Sequence, residues 1–218
     1  MLKIYLFSTS GISQTEKEEL ISALPSSLKE RASRPIGAKI STERVCAYAL
    51  LNKLLSDMKI SSENIAVSVD EGGKPYVSAL SGGFSLSHTD GLAMLAYNED
   101  GGIGCDAEKK QNLLSERIKR IEERFLKKYG GEYSHLDERF KIFTCKHSNG
   151  GISITEADVT QNSFEVSKWV LAEAVLKLDG GGFSSLCGIE EIEKNSLVFA
   201  SSISLSGEKY DIAVATEK

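Results

Sequence analysis

Residues 85–96 read Ser85-Leu-Ser-His-Thr-Asp-Gly-Leu92-Ala-Met-Leu-Ala96, and residues 204–215 read Ser204-Leu-Ser-Gly-Glu-Lys-Tyr-Asp211-Ile-Ala-Val-Ala215. In both, Ser-Leu-Ser precedes a strand-like apolar run at the same offset. This recurrence predicts that the chain has two similar α/β halves, residues 1–101 and 102–218, each ending in paired strands and related by pseudo-twofold symmetry. Two short strands also match by chance, so the rest of the chain must carry the reading. If it holds, the cleft between the halves is the natural place for a ligand and catalytic groups.

Working outward, residues 2–8 form an opening strand. Ser13-Gln-Thr-Glu16 and Ser27-Leu-Lys-Glu30 have the Ser-x-x-Glu form that starts helices by reciprocal capping. Val45, Ala49, Leu50 and Leu54 recur at helical spacing and predict a helix over 41–57. Strands are expected near 65–69, 84–87, 91–97 and 102–107. A charged helix at 113–128 and another at 163–178 follow, then three strand-like runs between Gly188 and Thr216. Residues 144–162 are polar and turn-rich and read as an inserted loop or hairpin. The class is α+β.

Composition narrows the function. The 218 residues are 41% hydrophobic and 26% charged, enough for a substantial core. A net charge of −5 lacks the basic stripe that nucleic-acid binding requires. No run approaches the ~20 apolar residues of a membrane span, and the N-terminal apolar stretch is too short for a signal peptide. Cys46, Cys105, Cys145 and Cys187 are widely spaced, which favours free thiols and a cytoplasmic protein over a disulfide or zinc framework.

Four short segments carry chemistry. In Gly104-Cys-Asp106-Ala-Glu108, strand periodicity puts both acids on one face, a donor set that suits magnesium. In Trp169-Val-Leu-Ala-Glu173-Ala-Val-Leu-Lys177, an aromatic, an acid and an ammonium share one helical face. Phe84-Ser-Leu-Ser87-His88 ends a strand in groups able to meet a phosphate, and Gly72-Gly-Lys74-Pro75 is a turn offering a cation. Taken singly, each also reads as ordinary structure: a solvated strand end, an i,i+4 ion pair, a packing histidine, a turn lysine. No phosphate-binding Gly-x-x-x-x-Gly-Lys loop, dinucleotide fingerprint or hydrolase elbow is present.

In this order, Gly-Lys74-Pro75, Phe84-Ser-Leu-Ser87-His88, Ile103-Gly-Cys-Asp106-Ala-Glu108 and Trp169-x-x-x-Glu173-Ala-x-x-Lys177 resemble the 4′-phosphopantetheinyl transferases of the surfactin type. The resemblance implies that family's fold, with the N-terminal half supplying coenzyme A phosphate contacts and the C-terminal half the metal site and carrier-protein side. It implies a monomeric, Mg2+-dependent enzyme of the holo-[acyl-carrier-protein] synthase type. Such an enzyme moves 4′-phosphopantetheine from coenzyme A to a serine of an acyl or peptidyl carrier protein and releases adenosine 3′,5′-bisphosphate. By resemblance, Asp106, Glu108 and Glu173 are the metal ligands and Lys177 stabilises charge. Glu132 is the candidate base by way of Arg124-Phe125, which echoes a family pattern with two extra residues; an acidic ligand such as Glu173, or metal-bound water, is the alternative. Lys74, Ser87 and His88 match coenzyme A contacts, and Lys29, Arg31 and Arg44 fall near the family's basic N-terminal contacts.

Three departures stand out. Ala172 occupies the position before Glu173 where the family carries lysine, so a restored lysine is expected to raise activity. Ala107 is small between the two acids, with no proline after Glu108. The 144–162 segment borders the carrier-protein side. A non-catalytic or weakly active coenzyme A and carrier-protein binding paralogue is the alternative.

Overall fold

The computed structural model describes every residue except 36–39, 71–73, 128, 149–150, 158–160, 163–164, 182–184 and 187. In chain order the elements are β1 (Leu2–Ser8), α1 (Gln14–Ser22), α2 (Ser26–Ala32), α3 (Thr42–Asp57), β2 (Val67–Val69), β3 (Pro75–Val77), β4 (Gly83–Thr89), β5 (Leu92–Asn98) and β6 (Ile103–Lys109). They continue with α4 (Lys110–Leu113), α5 (Glu116–Phe125), β7 (Ser134–His135), β8 (Phe140–Ser148), β9 (Gly151–Glu156), β10 (Gln161–Asn162), α6 (Lys168–Asp179), α7 (Ile189–Lys194), β11 (Ser196–Leu205) and β12 (Glu208–Glu217). The protein is a mixed α+β structure built on two main sheets.

One sheet has the order β4-β5-β1-β8-β9 and the other β10-β11-β12-β6, with β7 paired to β11. The run β1–α3–β4–β5 and the run β6–α6–β11–β12 therefore share one element order, strand–helix–hairpin. In each, the hairpin's second strand lies antiparallel to the opening strand. The hairpins turn through Thr89-Asp-Gly91-Leu92 and Leu205-Ser-Gly207-Glu208, with Gly91 and Gly207 both at positive φ. Aligned by these turns, Ser85 corresponds to Ser201. The Ser85/Ser204 match expected from the sequence is out of register by three residues, because Ser206 lies in the turn rather than in β11. Hairpin geometry, not the repeated tripeptide, sets the register.

The strands alternate between cores. Ile4 and Leu6 of β1, Leu92, Met94 and Ala96 of β5, and Cys105, Ile212 and Val214 of the second sheet meet between the sheets. Tyr5, Phe7, Ala93 and Leu95 point the other way, onto Val45, Leu50, Leu51 and Leu54 of α3. Ala213 and Ala215 face Val170, Ala174 and Val175 of α6. Helix, sheet, sheet and helix thus stack in four layers, and residues 4–7 of β1 and 92–97 of β5 are continuously apolar because both of their faces are buried.

At the edge where the sheets meet, every second residue of β4 offers a hydroxyl to an amide of β6. Cys105 N donates to Ser85 Oγ (3.1 Å), Ala107 N to Ser87 Oγ (3.2 Å) and Lys109 N to Thr89 Oγ1 (3.4 Å). The buried amides of Cys105 and Ala107 on edge strand β6 are thus satisfied by side chains from the other sheet, each bond contributing about 1 kcal/mol, while the Lys109 amide also has Glu108 Oε1 at 3.0 Å. At β1 the free edge is taken instead by β8, which pairs with it in parallel. Where it is described, the polar 144–162 stretch forms the paired strands β8 and β9, which extend the sheet that holds β1, and then β10, which joins the other sheet beside β11.

Several local expectations change. Ser13 and Glu16 form the reciprocal cap of α1, but Ser27 does not cap α2. Pro25 precedes that helix, and the Ser27 hydroxyl bonds to Ile65 O. Between Gly188 and Thr216 there are two strands and a helix, not three strands: Ile189-Glu-Glu-Ile192 spaces its apolar residues by three, and Ile189 is buried. Cys46, Cys105 and Cys145 are buried free thiols; Cys187 and Gly72-Gly73 lie outside the described residues. Among the described residues no helix is long and apolar enough to cross a membrane.

α6 presses directly on β6. A Cβ on Gly104 would stand 2.0 Å from Ala174 O and 2.3 Å from Leu178 N, both backbone atoms that cannot swing aside. Gly104→Ala should destabilise the protein by ~3 kcal/mol, read as a lower urea midpoint at unchanged slope.

Candidate functional site

The row Gly104, Asp106, Glu108 on one face of β6 lies beneath α6, and the close approach at Gly104 brings Glu173 and Lys177 down onto the acids. Lys177 Nζ reaches Asp106 Oδ1 at 2.7 Å and lies 3.8 Å from Glu173 Oε2. Ser87 Oγ, arriving from β4, donates to Asp106 Oδ1 at 2.8 Å and accepts from Lys177 Nζ at 3.1 Å. Glu108 takes a hydrogen bond from Thr89 Oγ1 and another from Asn112 Nδ2 at 2.8 Å. The hydroxyls that join the sheets therefore also orient both carboxylates.

These groups line one open cavity of about 670 Å³. Ser87 and His88 come from β4, Asp106 and Glu108 from β6, Asn112 from α4, Arg117 and Ile118 from α5, and Trp169, Glu173 and Lys177 from α6. The shared helical face of Trp169, Glu173 and Lys177 faces this cavity. Six of the singled-out site residues meet here: Ser87, His88, Asp106, Glu108, Glu173 and Lys177. The wall is shared between β4, which precedes residue 102, and elements that follow it.

The remaining candidates lie elsewhere. Glu132 lines a separate cavity of about 490 Å³ with Tyr133, Glu193 and Lys194, so it does not join the acids. Lys74 is outside the lining: its ammonium donates to Ile103 O (2.9 Å) and Leu178 O (3.3 Å), tying the start of β6 to the end of α6. Arg31 donates to Val67 O and Arg44 to Arg34 O, while Lys29 is exposed on α2. Of these cations, Arg44 stands near enough to influence His88. Ala172 is fully buried in the core around α6, among Leu171, Val175 and Leu176. A lysine there would put its charge into that core, so restoring one would cost stability rather than return a cation to the cavity.

Asn112 and Arg117 were not anticipated. Thr89, which ends the hydroxyl-rich strand singled out in the sequence, continues the period-two row of Ser85 and Ser87. Asn112 follows the end of β6 by three residues and Arg117 sits on another helix, so no single-element periodicity points to either.

The electrostatics are dominated by crowded acids. Burial first, then the charge of Asp106, raises the Glu173 carboxyl to about 7; Lys177 pulls it down, Glu108 adds to the rise and Arg117 opposes it. Burial alone would depress the Lys177 ammonium, but Asp106 foremost, with Cys105 and Glu173, outweighs that and lifts it above its usual value. His88 opens to solvent on the cavity wall, yet its partial enclosure, followed by the charges of Arg44 and Lys177, lowers its pKa and keeps it neutral at pH 7. Lys74 is lowered by burial, with Asp70 opposing.

Among the described residues no three acid, cysteine or histidine side chains are grouped tightly enough to enclose a metal ion. Asp106 and Glu108 are held by protein donors as described. In kind, however, three carboxylates facing one cavity, one of them raised by burial and then by the charge of its neighbour Asp106, fit a hard divalent cation. No protein-family model matches the chain, and no curated protein matches it.

Two outcomes follow. Because the Glu173 pKa is raised on folding, its contribution to stability is complete below the ordinary carboxylate value of about 4.5 and is lost as pH rises through about 7. In metal-free buffer, the stability of the wild type should fall relative to Glu173→Gln across that window; parallel pH profiles of the two unfolding midpoints would remove the site's charge crowding. Lys74→Met leaves two carbonyls without their donor and should cost ~1–3 kcal/mol of stability. Weakened coenzyme A binding at unchanged stability would instead assign the lysine to the ligand.

Proposed function

We propose that the protein is a phosphopantetheinyl transferase, taking coenzyme A and the serine of a carrier protein as substrates, with two halves of similar fold related by pseudo-twofold symmetry. One observation carries the reading: Ser87-His88, Asp106-x-Glu108 and Glu173-x-x-x-Lys177, far apart in sequence, line one cavity. The shared order of β1–α3–β4–β5 and β6–α6–β11–β12 supports the two-half arrangement.

Asp106, Glu108 and Glu173 would hold a magnesium ion. When bound, such an ion neutralises pyrophosphate charge and polarises the phosphorus under attack. Lys177, buried among acids and fully charged, offsets negative charge that grows on the phosphates during transfer. Neutral His88 offers a ring N–H to a phosphate oxygen without adding charge. The serine Oγ forms its bond to the β-phosphorus while the bond from that phosphorus to the oxygen bridging the α-phosphorus breaks, and adenosine 3′,5′-bisphosphate carries the electron pair away. The serine proton passes to Glu173, whose carboxylate lines the same cavity as Ser87, His88 and Lys177. Glu132, in its separate cavity, has no part in this step.

Incubation with coenzyme A, magnesium and a panel of apo carrier proteins should add one phosphopantetheine to a carrier serine, seen as a mass increase, and Glu173→Gln should reduce the rate at least a hundredfold. No mass increase on any carrier would overturn the reading.

A further inference from the structure

The cations around the cavity differ in what already holds them. Lys177 lies on Asp106 and Ser87. Lys74 is bound to two carbonyls outside the lining, Arg44 donates to Arg34 O, and His88 is neutral. Arg117 lines the cavity, yet it makes no hydrogen bond or ion pair with any described residue. It pairs with neither Glu173 nor Glu108, although both acids share the lining.

The side chain springs from a fixed point. Ser115 caps α5 through Ile118 N, and Ile118, the residue after Arg117, is buried against the core around α6. The first turn of α5 is therefore anchored while the guanidinium remains exposed at the cavity wall. A guanidinium on an anchored helical turn, with no donor bonded to any described residue, suits a phosphate, which it meets through two parallel hydrogen bonds. Lys177, committed to Asp106, contributes charge to such a ligand but few free donors.

We infer that Arg117 is a phosphate-binding residue of this cavity, contacting the pyrophosphate of the substrate from α5 while Lys177 acts from α6. The inference rests on the transferase reading for the identity of that substrate, coenzyme A, and on the cavity lining for the phosphate chemistry.

The test is calorimetric binding of sodium pyrophosphate, and separately of coenzyme A, in magnesium chloride, to the wild type, Arg117→Gln and Arg117→Lys. Wild type should bind pyrophosphate, Arg117→Gln should bind it at least about tenfold more weakly, and Arg117→Lys, which keeps the charge and loses the fork, should fall between them. Thermal unfolding should be unchanged in both variants, since the side chain is exposed and bonded to none of the described residues. Equal affinity of wild type and Arg117→Gln, or no pyrophosphate binding by the wild type, overturns the inference. Pyrophosphate binding that depends on Arg117, without coenzyme A binding, upholds the residue's role and overturns the transferase reading instead.

Discussion

The structure depends on the row of hydroxyls by which β4 satisfies the edge of β6. An edge strand packed against another sheet has amides that neither water nor a neighbouring strand can reach, and each would cost more unpaired than it returns when bonded. Ser85, Ser87 and Thr89 meet that need at the strand's own period of two. The same bonds bring β4 alongside the carboxylates of β6, so Ser87 also holds Asp106 and Thr89 also holds Glu108. Joining the sheets and shaping the cavity are thus one set of contacts.

The second constraint is the close seat of α6 on β6. Gly104 admits the helix backbone, and Lys74 fastens the two elements at one end. With the spacing fixed there, Glu173 and Lys177 descend onto Asp106 a few residues away. At the other end of α6, the N-cap Ser167 donates its backbone N–H to buried Asp211 and its hydroxyl to Glu122 of α5. The cavity is framed by elements held at both ends, a setting in which crowded charges keep their separation and Glu173 keeps its proton to near pH 7.

The sequence by itself determined the elements that rest on local chemistry: the Ser13–Glu16 capping box, the apolar periodicity of α3, the strand pair joined at Gly91, and the carboxylates Asp106 and Glu108 on one face of β6. It also determined the helical face shared by Trp169, Glu173 and Lys177, because 3.6 residues per turn leaves no other choice. Ser87 and His88 were legible as a strand end rich in hydrogen-bonding groups.

Only the tertiary structure decided which of those groups meet. Lys74 and Glu132 are the same residue types as Lys177 and Glu173, but the close packing of α6 on β6 consumes the first and a separate cavity receives the second. Ala172 looked like a missing cation until its position in the core made it a packing residue. Arg117 and Asn112 belong to elements whose own periodicity points nowhere in particular, and they reach the cavity because α4 and α5 pack beside β6 and α6. Periodicity tells which residues share a face; the burial of that face against a distant segment decides what it confronts.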